Sequence, residues 1–146
     1  MAIAEDLTAA MKTILTLTLT LTLNPTIDMS SSVENVFPEH KLRCGPVLNE
    51  PGGGGINVAR ALKHLGAKSR ALYFCGGPTG AVLRALLDLE RIEHTPMAIE
   101  GWTRQSVTIA ETATGQQYRF VMPGPTFAEG EWRGGARSFG GVGGNA

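Results

Sequence analysis

The sequence predicts an α/β fold built on a mainly parallel sheet, and three features carry that prediction. Strand-like and helix-like segments alternate from residue 15 onward. Residues 15–23 read LTLTLTLTL, a strict period of two. Four consecutive glycines at 52–55 stand directly before an amphipathic helical segment. With 146 residues and 42% hydrophobic content, the chain is long enough to bury one domain's core. Its 13 basic and 13 acidic residues cancel, which excludes bulk electrostatic attraction to nucleic acid or to an acidic membrane surface.

Each element follows from local pattern. In residues 15–23 leucine takes one face of a strand and threonine the other, and whole dipeptide units can be gained or lost without exchanging the faces. The run is short and half hydroxylated, so it cannot span a membrane. Glu5 and Asp6 replace the basic region of a signal peptide, and a soluble cytoplasmic protein is expected. Residues 1–12 are read as an N-terminal extension, with Met11-Lys12 as the candidate start of translation. Asn24-Pro25 turns the chain. Residues 28–36 and 41–48 are expected as two short strands of a solvent-facing excursion, where antiparallel pairing is placed.

Ile56, Ala59, Leu62 and Leu65 form the apolar stripe of a helix stopped by Gly66. Residues 71–74 read as a short apolar strand. Thr79 is expected to cap a second helix carrying Val82, Leu83, Leu86 and Leu87. Residues 94–99, 106–111 and 117–122 are further strands, the last two joined by a hairpin at 112–115. Cys44 and Cys75 are too few and too far apart for a disulfide framework or a zinc site, and both are expected as buried free thiols.

Nineteen glycines are nearly twice the usual share of roughly 7%, and their positions matter more than their number. Six fall within 134–146, GGARSFGGVGGNA, and four make the 52–55 run. A glycine turn before a helix lets backbone approach a polar or anionic ligand while unpaired helix N–H groups point outward. No Lys-Ser/Thr follows the run, so it is not a Walker A loop. A dinucleotide fingerprint also fails, because no long buried strand precedes it. A plain tight turn is the alternative. Asp28 after the first strand, Asn57 in the first helical turn and Arg104 with its planar fork give a carboxylate, an amide and a guanidinium. With bare backbone, that set suits a phosphorylated polyol.

The residues NPTID at 24–28, KLRC at 41–44, EPGGGGINVARA at 50–61, WTRQ at 102–105 and QYRFVMPG at 117–124 resemble the PfkB, or ribokinase-like, carbohydrate kinases. Within that family they lie nearest its minor 6-phosphofructokinase branch. The resemblance runs from about residue 14 to about residue 133. It implies the N-terminal part of a three-layer α/β/α sandwich over 13–133, with a small β-lid at about 28–48 and 101–123. It also implies transfer of a phosphoryl group from ATP with Mg2+ to a sugar phosphate; fructose 6-phosphate, tagatose 6-phosphate and fructose 1-phosphate stay open as acceptors, with the WTRQ segment leaning towards the first. Asp28 would hold sugar hydroxyls, Gly52 and Gly53 would approach through their backbone, and Asn57 would hydrogen-bond the sugar. Arg104 would bind the 6-phosphate, and Lys41 on the lid would add positive charge. The lid also implies pairing with a second copy.

The family's second signature, Gly-Ala-Gly-Asp, does not occur in this sequence, and its aspartate is the base of the reaction. No catalytic residue is therefore assigned. Phosphoryl transfer depends on charge stabilisation around the γ-phosphate, so the chain is expected to be inactive alone and to lack the nucleotide site. Two alternatives stay open, a non-catalytic sugar-phosphate-binding module and a non-functional truncated product. Residues 134–146 are expected as a non-homologous tail produced by a frameshift, against a natural flexible tail. The nucleotides beyond codon 146 test this. One of the other two frames should encode the kinase C-terminal half, and its absence from both overturns the frameshift.

Overall fold

The computed structural model describes residues 17–128, 130, 131, 133 and 134. The expected extension at 1–12 and all but the first residue of the 134–146 tail lie outside the described residues. The order of elements is β1 (Thr18–Thr22), β2 (Thr26–Val33), β3 (Leu48–Gly52), α1 (Gly54–His64), β4 (Ser69–Cys75), α2 (Gly77–Leu89), β5 (His94–Ala98), β6 (Arg104–Glu111) and β7 (Gln117–Val121). They form two sheets. One is parallel, in the order β1-β4-β5, and the other has the order β3-β2-β6-β7.

The parallel sheet carries both helices on one face. Ala71, Tyr73 and Cys75 of β4 point to that face and join Ile27, Ile56, Ala59, Leu83, Leu87 and Ile92 in the main core. Leu72 and Phe74 point the other way and form a second cluster with Met97, covered in part by Phe127. Phe74 and Phe127 meet edge to face at 5.0 Å. Burial on both faces explains why β4 reads as an unbroken apolar run.

On β1 the faces are the reverse of what the leucines suggest. Thr20 and Thr22 are buried, at 8% and 6% exposure, whereas Leu19 and Leu21 are each 42% exposed. The reason is the closeness of α1. Thr22 Oγ1 accepts the Ile56 N–H at 3.0 Å, so a short side chain with an acceptor is needed there. The leucines lie on the face that no helix covers among the described residues.

The second sheet differs from expectation in two places. Residues 41–47 are irregular, and the strand is β3, Leu48–Gly52, displaced towards the glycines. Pro51 is tolerated because β3 is an edge strand. The sheet is also not wholly antiparallel. β2 pairs antiparallel with β3, and β6 with β7, but β2 and β6 run parallel over eight residue pairs, Thr26↔Arg104 to Val33↔Glu111. Glu111 closes the far end, accepting the Val36 N–H at 2.6 Å and the Thr114 hydroxyl. The Thr114 bond, then the Val36 bond, holds its carboxyl below the ordinary range.

Other boundaries moved less. Helix α1 begins at Gly54, inside the glycine run, and Gly66 follows its C-cap at φ +75°. Its stripe is graded, with Ile56 and Ala59 buried and Leu65 exposed. Thr79 lies inside α2 rather than capping it, because the helix starts at Gly77 with Gly76 as N-cap and proline in its first turn. Cys75 is buried as expected, but Cys44 is exposed on the irregular 41–47 stretch. Burial pushes the Cys75 thiol up from its ordinary value. No helix among the described residues is long and apolar enough to cross a membrane.

Beneath α2 runs a chain of three polar side chains. The Tyr73 hydroxyl meets His94 Nδ1 at 2.9 Å, and His94 Nε2 meets Asp88 Oδ1 at 3.0 Å. An imidazole protonated at Nε2 donates to Asp88 and accepts from Tyr73. Burial raises the Tyr73 phenol far above its usual range, so the hydroxyl stays a donor. His94→Leu should orphan that hydroxyl and cost about 1–3 kcal/mol in urea unfolding. Adding Tyr73→Phe should recover part of the loss. A double variant as unstable as the sum of the single variants overturns the coupling.

Candidate functional site

The concave side of the second sheet forms an open cleft of about 460 Å³. Period-two alternation and the parallel register place Thr26 and Asp28 of β2 beside Arg104 and Ser106 of β6. Hydrogen bonds confirm the shared face. Thr26 Oγ1 donates to Ser106 Oγ at 3.3 Å, and Arg104 Nη1 donates to the same oxygen at 3.3 Å. Arg104 Nη1 also reaches the Met122 carbonyl at 3.4 Å. Its Nε is buried and has no hydrogen-bond partner among the described residues. A buried donor on a cation, left unpaired, is costly unless an acceptor reaches it.

The glycine loop forms one end of the cleft. Gly52 stands opposite Thr26 in the β2–β3 register, and a Cβ built on it would sit 2.1 Å from Asp28 Oδ2 and 2.8 Å from Thr26 Cγ2. Only a residue without a side chain leaves the Asp28 carboxylate where it is. Gly53 lines the cleft at φ +121°, a conformation that glycine adopts at no steric cost. Gly53 also supplies the carbonyl that accepts the Asn57 N–H at 2.8 Å, the first hydrogen bond of α1.

Of the six residues singled out from the sequence, four converge. Asp28, Gly53 and Arg104 line the cleft, and Gly52 abuts Asp28. Asn57 is exposed in the first turn of α1, beside the loop but outside the lining. Lys41 is exposed on the irregular 41–47 stretch and is not in the lining either. The structure adds Glu50, Ser106 and Arg119 to the lining. Arg119 lies opposite Thr108 on β7, with its Nη2 donating to Gln117 Oε1 at 3.1 Å. The signal for Ser106 and Arg119 was the two-residue spacing Ser106, Thr108 and Gln117, Arg119 on strands already expected, whereas Glu50 lies on β3, beyond the expected strand 41–48.

A sequence model of the pfkB family carbohydrate kinases matches residues 18–133. The chain belongs to this family. Over 114 residues it is 46% identical to the ATP-dependent 6-phosphofructokinase isozyme 2 of Escherichia coli K12, covering 78% of this chain and 37% of that enzyme. It is 47% identical over 113 residues to the isozyme 2 enzyme of Mycobacterium tuberculosis H37Rv, covering 77% of this chain and 33% of that enzyme. A crystal structure of phosphofructokinase-2 from Escherichia coli in complex with fructose-6-phosphate superposes with a TM-score of 0.79 at 44% identity. That match covers 83% of this chain and 40% of the other. The architecture is thus the ribokinase-like α/β fold of the pfkB kinases, and the chain spans well under half the length of these relatives.

The steric role of Gly52 can be tested directly. Gly52→Ala should push the Asp28 carboxylate out of the cleft and cost about 1–3 kcal/mol through overpacking. A variant structure with Asp28 unmoved, or unchanged unfolding, contradicts it.

Proposed function

We propose that this chain is the acceptor-binding part of an ATP-dependent sugar-phosphate kinase of the 6-phosphofructokinase type, and that its cleft takes fructose 6-phosphate. The observation that carries this reading is Arg104, which lines the same cleft as Asp28 and Gly53 and whose buried Nε has no hydrogen-bond partner among the described residues. A phosphate oxygen would satisfy that donor, and the planar fork suits a second oxygen. Asp28, acceptor-only when ionised, would take two sugar hydroxyls. Gly52 and Gly53 would let the sugar approach the backbone, Asn57 would reach it from the first turn of α1, and Lys41 would bring positive charge from the 41–47 stretch. The four-stranded sheet would act as the β-lid, through which two copies could pair.

The family implies ATP and Mg2+, and the residues of this chain do not fit them. The sequence has no Gly-Ala-Gly-Asp run and no Walker A loop. No group of three His, Cys, Asp or Glu gathers into a metal site among the described residues. The cleft pairs guanidinium groups with carboxylates, a donor set for a sugar phosphate. The role of this chain is to bind and orient the acceptor. By this reading the chain alone binds without transferring a phosphoryl group.

Ligand-dependent melting tests the proposal. Fructose 6-phosphate at a hundred times its Kd should stabilise the chain by about 2.7 kcal/mol, with fructose at equal concentration giving far less and ATP nothing. Arg104→Gln should abolish the preference for the phosphorylated sugar. No stabilisation by fructose 6-phosphate overturns the binding reading. ATP-dependent formation of fructose 1,6-bisphosphate by the purified chain overturns the non-catalytic part and leaves the acceptor site standing.

A further inference from the structure

Glu50 is out of place in a cleft that receives an anion. It lies opposite Asp28 in the β2–β3 register and lines the same cleft, so two carboxylates stand side by side there. Two like charges at this spacing repel a phosphorylated ligand unless one of them is cancelled.

The cancelling group is Arg60, on α1 one turn beyond Asn57. Its Nη2 donates to Glu50 Oε1 at 3.0 Å, its Nε donates to Glu90 Oε2 at 2.7 Å, and its Nη1 reaches the Pro51 carbonyl at 3.4 Å. One guanidinium therefore ties together the strand before the glycine loop, the helix after it and the C-cap of α2. The Arg60 side chain is 25% exposed, Glu90 31% and Glu50 46%, so the bond to Glu90 is the better shielded and the bond to Glu50 is open to solvent and salt. The Glu90 hydrogen bond, opposed by burial and aided by Glu50, raises the Arg60 guanidinium above its ordinary value.

We propose that Arg60 is a positioning residue for the acceptor site: it holds Glu50 neutralised and anchored at Pro51, so that the cleft presents Asp28 against Arg104 and Arg119. The inference rests on the sugar-phosphate reading and extends it to a residue that does not touch the ligand. Each partner has a distinct part. Glu50 is the charge that must be masked, and Glu90 braces the guanidinium through Nε, a different nitrogen from the Nη2 that masks Glu50.

Calorimetric titration of the chain with fructose 6-phosphate at low ionic strength separates charge masking from bracing. Arg60→Met should weaken binding about tenfold by exposing the Glu50 charge, an effect that shrinks as salt is added. Glu50→Gln in the Arg60→Met background should restore most of the lost affinity. Glu90→Gln weakens the brace yet leaves Glu50 paired, and should change binding less than about twofold. If Arg60→Met fails to fold, the Glu50→Gln/Arg60→Met variant and Glu90→Gln carry the test by themselves. The inference is overturned if Arg60→Met binds like the natural chain, if Glu50→Gln does not rescue it, or if Glu90→Gln weakens binding tenfold. In all three cases the natural chain still binds, so the sugar-phosphate reading survives. Absence of binding by the natural chain overturns both.

Discussion

Helix α1 starts where β1 ends, and the two backbones approach so closely that no side chain fits between them. A Cβ on Gly55 would lie 2.7 Å from the Leu21 carbonyl oxygen, and one on Gly53 would lie 2.6 Å from Thr22 Cγ2. The Thr22 hydroxyl fills the remaining space and accepts the Ile56 N–H. This junction fixes the first turn of α1 relative to the parallel sheet. Because Gly52 and Gly53 connect that turn to β3, it also fixes where the second sheet leaves the first. The position of Asp28 against Gly52 follows from it.

The chemistry of the cleft is a balance of charges delivered by different elements. Arg104 comes from β6, Arg119 from β7, Asp28 from β2 and Glu50 from β3. Hydrogen bonds to the Ser106 hydroxyl and the Met122 carbonyl orient the Arg104 side chain, while its Nε has no partner among the described residues. The opposite flank is held from behind by a guanidinium that never enters the cleft. A site of this kind needs both sheets and α1 in place, and the conformational entropy of ordering those arginines is spent on folding before any ligand arrives.

Much of this was legible in the sequence because it depends on local pattern. The alternation of strand and helix, the glycine run and the hairpin at 112–115 each express a backbone requirement of a few residues. Asp28, Gly53 and Arg104 could be chosen because residue type and motif point to one chemistry. What failed depends on distance. Nothing local tells that Thr22 rather than Leu21 faces the helix, since an alternating strand has two equivalent faces until a neighbour is placed. Pro51 and Gly52 argue against a strand by propensity, yet an edge position accepts both. The Arg60–Glu50–Glu90 bridge joins three segments with no shared period, and Cys44 lies on a stretch whose neighbours looked strand-like but left it exposed.

The parallel pairing of β2 with β6 also bears on how the protein is made. Thr26 and Ser106, 80 residues apart, must meet before the cleft has a floor. During synthesis the β1-α1-β4 unit can close while β6 is still unmade, but β2 then waits with only β3 as a neighbour. The nascent chain therefore carries a half-built, two-stranded ribbon, marginally stable in water, until β6 leaves the ribosome. Pairings over so long a span form slowly. The acceptor cleft is thus the last part of the described structure to become complete, and the exposed edge of β2 is the place where a nascent-chain chaperone would have most to protect.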